Sequence, residues 1–295
     1  MDNGSHFMSA PTGHRSATPA PVSRSRRLVV NADDFGRSRS INEAVVRAHR
    51  EGILTSASLM MNEVATEEAV ELAKQVPRLG IGLHLTLLCG QSALPREKIP
   101  GLVNGRGEFS DRPVRVGMRY FFRRELREQL RNEIRAQLER FRATGLPLDH
   151  VNGHLHLHLH PVILPMLLEF AGEFGIRHVR WTREPFWLDF PLARGRRIYR
   201  ASHAAVYLVL SRRARAGFQR LGIRHTQRTF GLLQDSHVDE AYVLKLLPLL
   251  PPGDSELYSH PSLDNFKHEF AALISPRVKE QVEKLGIELI RYSDL

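Results

Sequence analysis

Between Asp149 and Pro161 the chain reads Asp-His-Val-Asn-Gly-His-Leu-His-Leu-His-Leu-His-Pro. Side chains alternate faces along a strand, so His150, Asn152, His154, His156, His158 and His160 are expected on one face and Val151, Leu155, Leu157 and Leu159 on the other. A face made almost wholly of imidazole is a candidate metal site, since neutral imidazole is the commonest metal ligand. The competing explanations are a polar surface strand and a His-rich tract with incidental metal affinity. Elsewhere Asp33-Asp34, His84 and His260 stand at the ends of strand-like segments. One carboxylate and two imidazoles leave coordination positions open for water, as a catalytic metal ion requires, and the adjacent carboxylate can then act as a base. Taken singly these residues have plain explanations: a turn or cap for Asp-Asp, a satisfied buried ring for His84, a strand end for His260. Their joint placement at strand ends is what argues for chemistry.

The surrounding pattern supplies elements that bring them together. Residues 27–32 read as a buried strand stopping at Asp33-Asp34-Phe35-Gly36, and Ser40 with Glu43 forms a capping box for a helix reaching Gly52. A strand at 53–61, a helix at 66–75 and a strand at 79–86 complete a β-α-β-α-β run, which predicts a parallel sheet. Residues 88–122 break the rhythm as an insertion. A helix over 123–143 follows, with Leu126, Leu130, Ile134, Leu138 and Phe141 on one face. The His-rich segment is the fourth strand, followed by a helix over 161–174 and a strand over 177–181. Residues 183–228 form a second insertion containing a helix over 204–221. The rhythm returns with strands at 229–233, 256–261 and 287–290 and helices at 238–250 and 276–285. Seven or eight β/α units predict an α/β fold, a single distorted TIM-like (β/α) barrel over 26–295, whose strand ends carry Asp33, Asp34, His84, the His-rich segment and His260 to one rim.

Composition limits the alternatives. The chain has 295 residues, 42% of them hydrophobic, enough for one large domain. Its single cysteine, Cys89, excludes a disulfide framework and fits a reducing compartment. The net charge of +10 comes mostly from arginines concentrated in 112–142 and 194–228. Without a nucleic-acid motif, that charge reads as a solvated surface, with contact at an anionic lipid surface as the second reading and nucleic acid excluded as a partner. No apolar run approaches the roughly 20 residues of a membrane span. Residues 1–25, rich in Ser, Pro, Ala and Thr, read as a disordered tail and not a signal peptide; residues 1–7 resemble an expression-tag remnant, with Met8 as the native start. A cytoplasmic location follows as the expectation.

The segments Asn31-Ala32-Asp33-Asp34-Phe35-Gly36, Gly82-Leu83-His84-Leu85, His150-Val151-Asn152-Gly153-His154-Leu155-His156 and Glu256-Leu257-Tyr258-Ser259-His260-Pro261 resemble, in this order, the motifs of YdjC-like carbohydrate deacetylases. Residues 57–60, 117–122 and 148–152 look most like the branch associated with hopanoid biosynthesis, HpnK. The resemblance implies a distorted barrel of the polysaccharide-deacetylase type that removes the acetyl group of an amino sugar. It implies Asp34, His84 and His154 as ligands of one divalent metal ion, zinc by ligand type with magnesium as the alternative, Asp33 as the base and His260 as the acid. His150, Asn152, His156 and His158 would line the substrate cleft or support these groups. The hopanoid branch implies a lipid-linked amino sugar met at the inner face of a membrane, with Phe121, Phe122, Trp181, Phe186 and Trp187 along an apolar channel. The chain departs from the family pattern at Asn152, where Asp is common, and at Ser262, where Gly commonly follows the His-Pro pair. A soluble chitooligosaccharide is the alternative substrate, and a non-catalytic metal- or lipid-binding barrel the alternative class.

Overall fold

The computed structural model of the chain describes Met1, residues 25–192 and residues 197–295; the expected disordered tail lies almost wholly outside the described residues. Strands β1 (Arg26–Phe35), β2 (Ser56–Leu59), β3 (Gly80–Leu85), β4 (Val151–Gly153), β5 (Arg228–Phe230), β6 (Gly253–Ser259) and β7 (Glu288–Ile290) form one sheet. Its order is β4-β3-β2-β1-β6-β5, with β7 against β1, and every pairing is parallel. From Val29 onward the residues of β1 are buried on both faces, as expected for a parallel strand covered by helices.

The helices are α1 (Arg39–Glu51), α2 (Thr66–Lys74), α3 (Pro113–Phe122), α4 (Arg127–Ala143), α5 (Ile163–Glu169), α6 (Ala171–Phe174), α7 (Phe186–Asp189), α8 (Arg197–Leu221), α9 (Glu240–Leu246), α10 (Lys267–Ile274) and α11 (Pro276–Lys284). Helix α1 is capped by Ser38, whose side chain accepts from the Ile41 amide, and not by the expected Ser40. On α4 the residues Leu130, Ile134, Leu138 and Phe141 face the core as their spacing predicts. The same helix buries Glu133, which accepts from the amides of Ala93 and Leu94 at 2.7 and 2.9 Å, and Gln137, which accepts from the Thr86 amide at 2.9 Å. These bonds fix the loop after β3. The expected insertion at 88–122 is therefore well built into the fold: Ile99, Leu102, Phe109, Val116 and Tyr120 join the main core.

One expectation needs correction. The His-rich segment is a strand only over Val151–Gly153; Leu155 and His156 adopt left-handed φ of 47° and 56°, and 154–159 coil into a tight 3-10 turn. The strict alternation over 150–160 fails there. Among the described residues the ladder joins seven strands and runs from β4 at one end to β5 at the other. Between β4 and β5 it is replaced by isolated backbone bonds around residues 178–183: Val151 N to His178 O at 2.9 Å, Arg180 N to Val151 O at 3.0 Å and Thr229 N to Arg183 O at 3.0 Å. The result is a curled, half-barrel parallel sheet, open where the short β4 ends.

Candidate metal and acid-base site

Five of the groups expected at one rim lie at the carboxyl ends of their strands. Asp33 and Asp34 end β1, His84 lies in β3, His154 directly follows β4 and His260 directly follows β6. The β1–β2 register slips between Ala32 and Phe35, and Asp34 has φ of 64°. That irregularity sends neighbouring carboxylates in different directions.

Asp34 turns to the rim. Its Oδ1 lies 2.9 Å from His154 Nδ1 and 3.2 Å from His84 Nε2, and the two ring nitrogens are 3.3 Å apart. All three residues are buried. Tetrahedral coordination at about 2.0–2.1 Å needs ligand atoms roughly 3.3 Å apart, so these atoms fit a metal ion. A second feature supports the fit. His84 Nδ1 lies 2.7 Å from Asn152 Oδ1, an acceptor, so the proton sits on Nδ1 and Nε2 presents its lone pair to the rim. The parallel register that pairs His84 with Asn152 makes this contact. Arg37, with a side chain 40% exposed, donates to Asp34 Oδ2 at 3.1 Å from the mouth.

Asp33 turns inward. Arg180 donates to Oδ2 at 2.7 Å and to Oδ1 at 2.9 Å, and Oδ1 also accepts from Asn31 and Asn152 at 2.9 and 3.1 Å. Burial favours the protonated acid, but the Arg180 guanidinium, with the neighbouring His84 and His260 rings, overrides it and holds Asp33 well below the usual carboxylate range. Arg180 is itself fully buried, bonded to Glu256 Oε1 at 2.9 Å and stacked over Tyr258 at 4.6 Å. Tyr292 donates to the other Glu256 oxygen at 2.5 Å.

His260 has the opposite environment. Burial disfavours its cation, but Glu269 Oε2 lies 3.7 Å from Nδ1, and that carboxylate with Asp34 and Asp33 pushes the imidazole up to about 9. An ionised carboxylate beneath the three ligands and a protonated imidazole at the end of β6 thus belong to one site.

The remaining expected residues surround these groups. His150 lies below Ser58, whose Oγ is 2.9 Å from its Nε2, stacks on Tyr292 at 4.3 Å and faces Asp149 at 3.0 Å. Only glycine fits at position 82, because a Cβ there would stand 2.4 Å from the His150 ring. His156 contacts the Tyr258 hydroxyl at 3.0 Å, and burial holds it neutral. His158 donates to Arg180 O at 3.0 Å, with its pKa pushed down to about 3 by burial. His160 leaves the site altogether and donates to Gly117 O on α3 at 3.0 Å. The expected apolar channel separates into two features: Phe121 and Phe122 are on the exposed face of α3, whereas Trp181, Phe186 and Trp187 line a cleft beside α8. Sequence reasoning missed Arg180, Glu256, Glu269 and Tyr292. Nothing in the sequence separates Arg180 from Arg177 and Arg183 on either side of it.

The half-barrel fold agrees with the comparisons to known proteins. The family model for YdjC-like proteins matches residues 27–284, and the chain belongs to that family. A carbohydrate deacetylase of Brevibacillus brevis is 45% identical over 150 residues, 51% of this chain and 57% of that one. A chitooligosaccharide deacetylase of Proteus mirabilis is 40% identical over 151 residues, 49% of this chain and 54% of that one. The chain thus spans a little over half the length of these curated relatives. Among solved structures, a protein of Enterococcus faecalis V583, provisionally assigned to cellobiose-phosphate cleavage, superposes with a TM-score of 0.69 at 25% identity, covering 92% of this chain and 98% of that one.

Proposed function

We propose that this protein is a metal-dependent hydrolase that removes the N-acetyl group of an amino sugar. The observation that carries this reading is the rim itself: three converging metal ligands beside a carboxylate held ionised and an imidazole held protonated. A divalent ion held by Asp34, His84 and His154 supplies Lewis acidity and brings the pKa of a bound water toward ~7; two imidazoles with one carboxylate suit zinc, and magnesium is the alternative. Asp33 takes a proton from the attacking water, while Arg180, Asn31 and Asn152 hold its carboxylate in place. His260 gives its proton to the amine nitrogen as the C–N bond breaks, since that nitrogen is too basic to leave unprotonated. The products are acetate and the free amino sugar. The names of the Brevibacillus and Proteus relatives support this class of substrate.

In the finer reading, residues 178–183 act as an irregular stave completing a distorted (β/α) barrel of the polysaccharide-deacetylase type. The substrate is then an N-acetylglucosaminyl hopanoid, as residues 57–60, 117–122 and 148–152 suggest, met at the inner face of a membrane. Among the described residues no helix is long and apolar enough to cross a membrane. Contact with its surface is supported by α3, whose Val114, Met118, Phe121 and Phe122 are 80, 54, 45 and 65% exposed among arginines 112, 115, 119 and 123. Each suitably placed arginine contributes up to about 1 kcal/mol at an anionic surface. The second reading, a soluble chitooligosaccharide as substrate, is favoured by the Proteus relative. Acetate release from an N-acetylglucosaminyl hopanoid and from diacetylchitobiose, with metal-reconstituted protein, separates the readings. Release from the lipid-linked sugar alone is the expected result; release from diacetylchitobiose selects the second reading; release from neither, with metal bound, sinks the catalytic assignment.

A further inference from the structure

We propose that the cleft between α8, residues 181–187 and residues 225–228 is a second binding site, apart from the metal rim, for a single anionic amphiphile: a phosphate or carboxylate head on an apolar tail. The cleft encloses about 820 Å³, within the usual range for small-molecule sites. Ala201, Ala204, Ala205 and Leu208 recur at helical spacing on the α8 wall, and three of the four are alanines that leave the space open. Trp181 and Phe186 face them. This is room for an apolar chain.

The rest of the lining includes three arginines and one carboxylate. Arg183, Arg215 and Arg228 all border the cleft, and none has an ion pair among the described residues. By contrast, Arg135 on α4 pairs with both Glu139 and Glu173. Arg183 lies over the Trp181 ring at 5.2 Å, and among the described residues the Arg228 side chain makes polar contacts only to Gln227 Oε1 and Pro252 O, each at 3.4 Å. Burial and the charge of Arg183 both disfavour the Arg228 cation. The one carboxylate in the lining does not compensate them: Glu184 accepts from the Gly231 amide at 3.0 Å and the Leu233 amide at 2.8 Å. Guanidinium groups gathered without a counter-charge favour an anion that can accept from their planar forks. An apolar wall continuous with that cluster sets the rest of the ligand.

The chain has two tryptophans, Trp181 and Trp187, and both line this cleft, so intrinsic fluorescence reports on it directly. The test is a fluorescence titration of the full chain with decyl phosphate below its micelle concentration. Decyl maltoside, inorganic phosphate and phosphatidylglycerol vesicles serve as comparisons. A saturable change with decyl phosphate is expected, weakened about tenfold or more in Arg183→Gln/Arg228→Gln through loss of charge-assisted bonds. Ala204→Leu, which fills the cleft and keeps every charge, is expected to weaken it as well. Equal binding of decyl maltoside, or of inorganic phosphate, would overturn the proposal by showing that the head or the tail is irrelevant. A response to vesicles with none to the monomer would mean surface adsorption and would also overturn it, as would unchanged affinity in both variants.

Discussion

The floor and the rim of the site are built from neighbouring residues with opposite electrostatic logic. On the floor, Asp33, Arg180, Glu256 and Tyr292 are buried, and each charged group meets its partner at 2.5–2.9 Å. At the rim, Asp34, His84 and His154 point at one another, and their cationic neighbour Arg37 is partly solvated at the mouth. A floor whose charges are paired fixes the Asp33 carboxylate in place and ionised; a rim that leaves lone pairs converging can bind. The step from Asp33 to Asp34 at the end of β1, with its left-handed φ, divides the two.

This contrast can be broken from the floor. Arg180→Met removes the shared cation and leaves Asp33 and Glu256 buried without it, so a loss of about 3–5 kcal/mol is expected in urea unfolding. A loss below about 1 kcal/mol would mean that the floor is not a closed charge network. Asn152→Leu attacks the seam between floor and rim, because the amide orients both His84 and Asp33. Metal affinity by calorimetry is expected to fall about 10–100-fold, as for other residues that orient a ligand from behind. Unchanged affinity would remove Asn152 from that role.

The acid on the rim sharpens the comparison through pH. Burial lowers His260, but Glu269 raises it from 6.5 to about 9. Because the folded value is raised, the stability contributed is complete below about 6.5 and is lost as pH rises through about 9. Acetate release should decline over the upper part of that window, since only the protonated ring can supply the leaving amine. In Glu269→Gln the alkaline limb should move to lower pH; a limb that stays in place would assign it to another group. The smallest expected effect is at the His-rich turn, where the Tyr207 hydroxyl donates to Leu155 O at 2.8 Å. Tyr207→Phe should cost about 1 kcal/mol, read by thermal unfolding.

Those left-handed residues also mark where sequence reading stopped. Asp33, Asp34, His84 and His260 were legible because a parallel sheet delivers polar groups at strand ends, a rule that needs only element order; His154 was singled out from the His-rich segment only by the family resemblance. The alternation from His150 onward was legible as far as His154. Beyond it, Leu155 and His156 adopt conformations that cost non-glycine residues about 1–3 kcal/mol, held by Tyr207 and Tyr258 from distant elements. A period-2 pattern carries no trace of such contacts. The floor was illegible for the same reason: Arg180 reaches Asp33 across 147 positions and Glu256 across 76. The parallel, curled sheet was legible from element order, but how far it closes was not, because β4 spans only Val151–Gly153 and residues 178–183 pair through isolated bonds.

The most direct test of the division between rim and floor compares Asp33→Asn with Asp34→Asn, measuring bound metal per chain and acetate release on the same samples. Asp34→Asn should lose the metal and the activity together. Asp33→Asn should keep its metal and lose about 10²–10⁴-fold in turnover, the usual contribution of a general base. Loss of metal in Asp33→Asn, or full activity in either variant, would contradict the account.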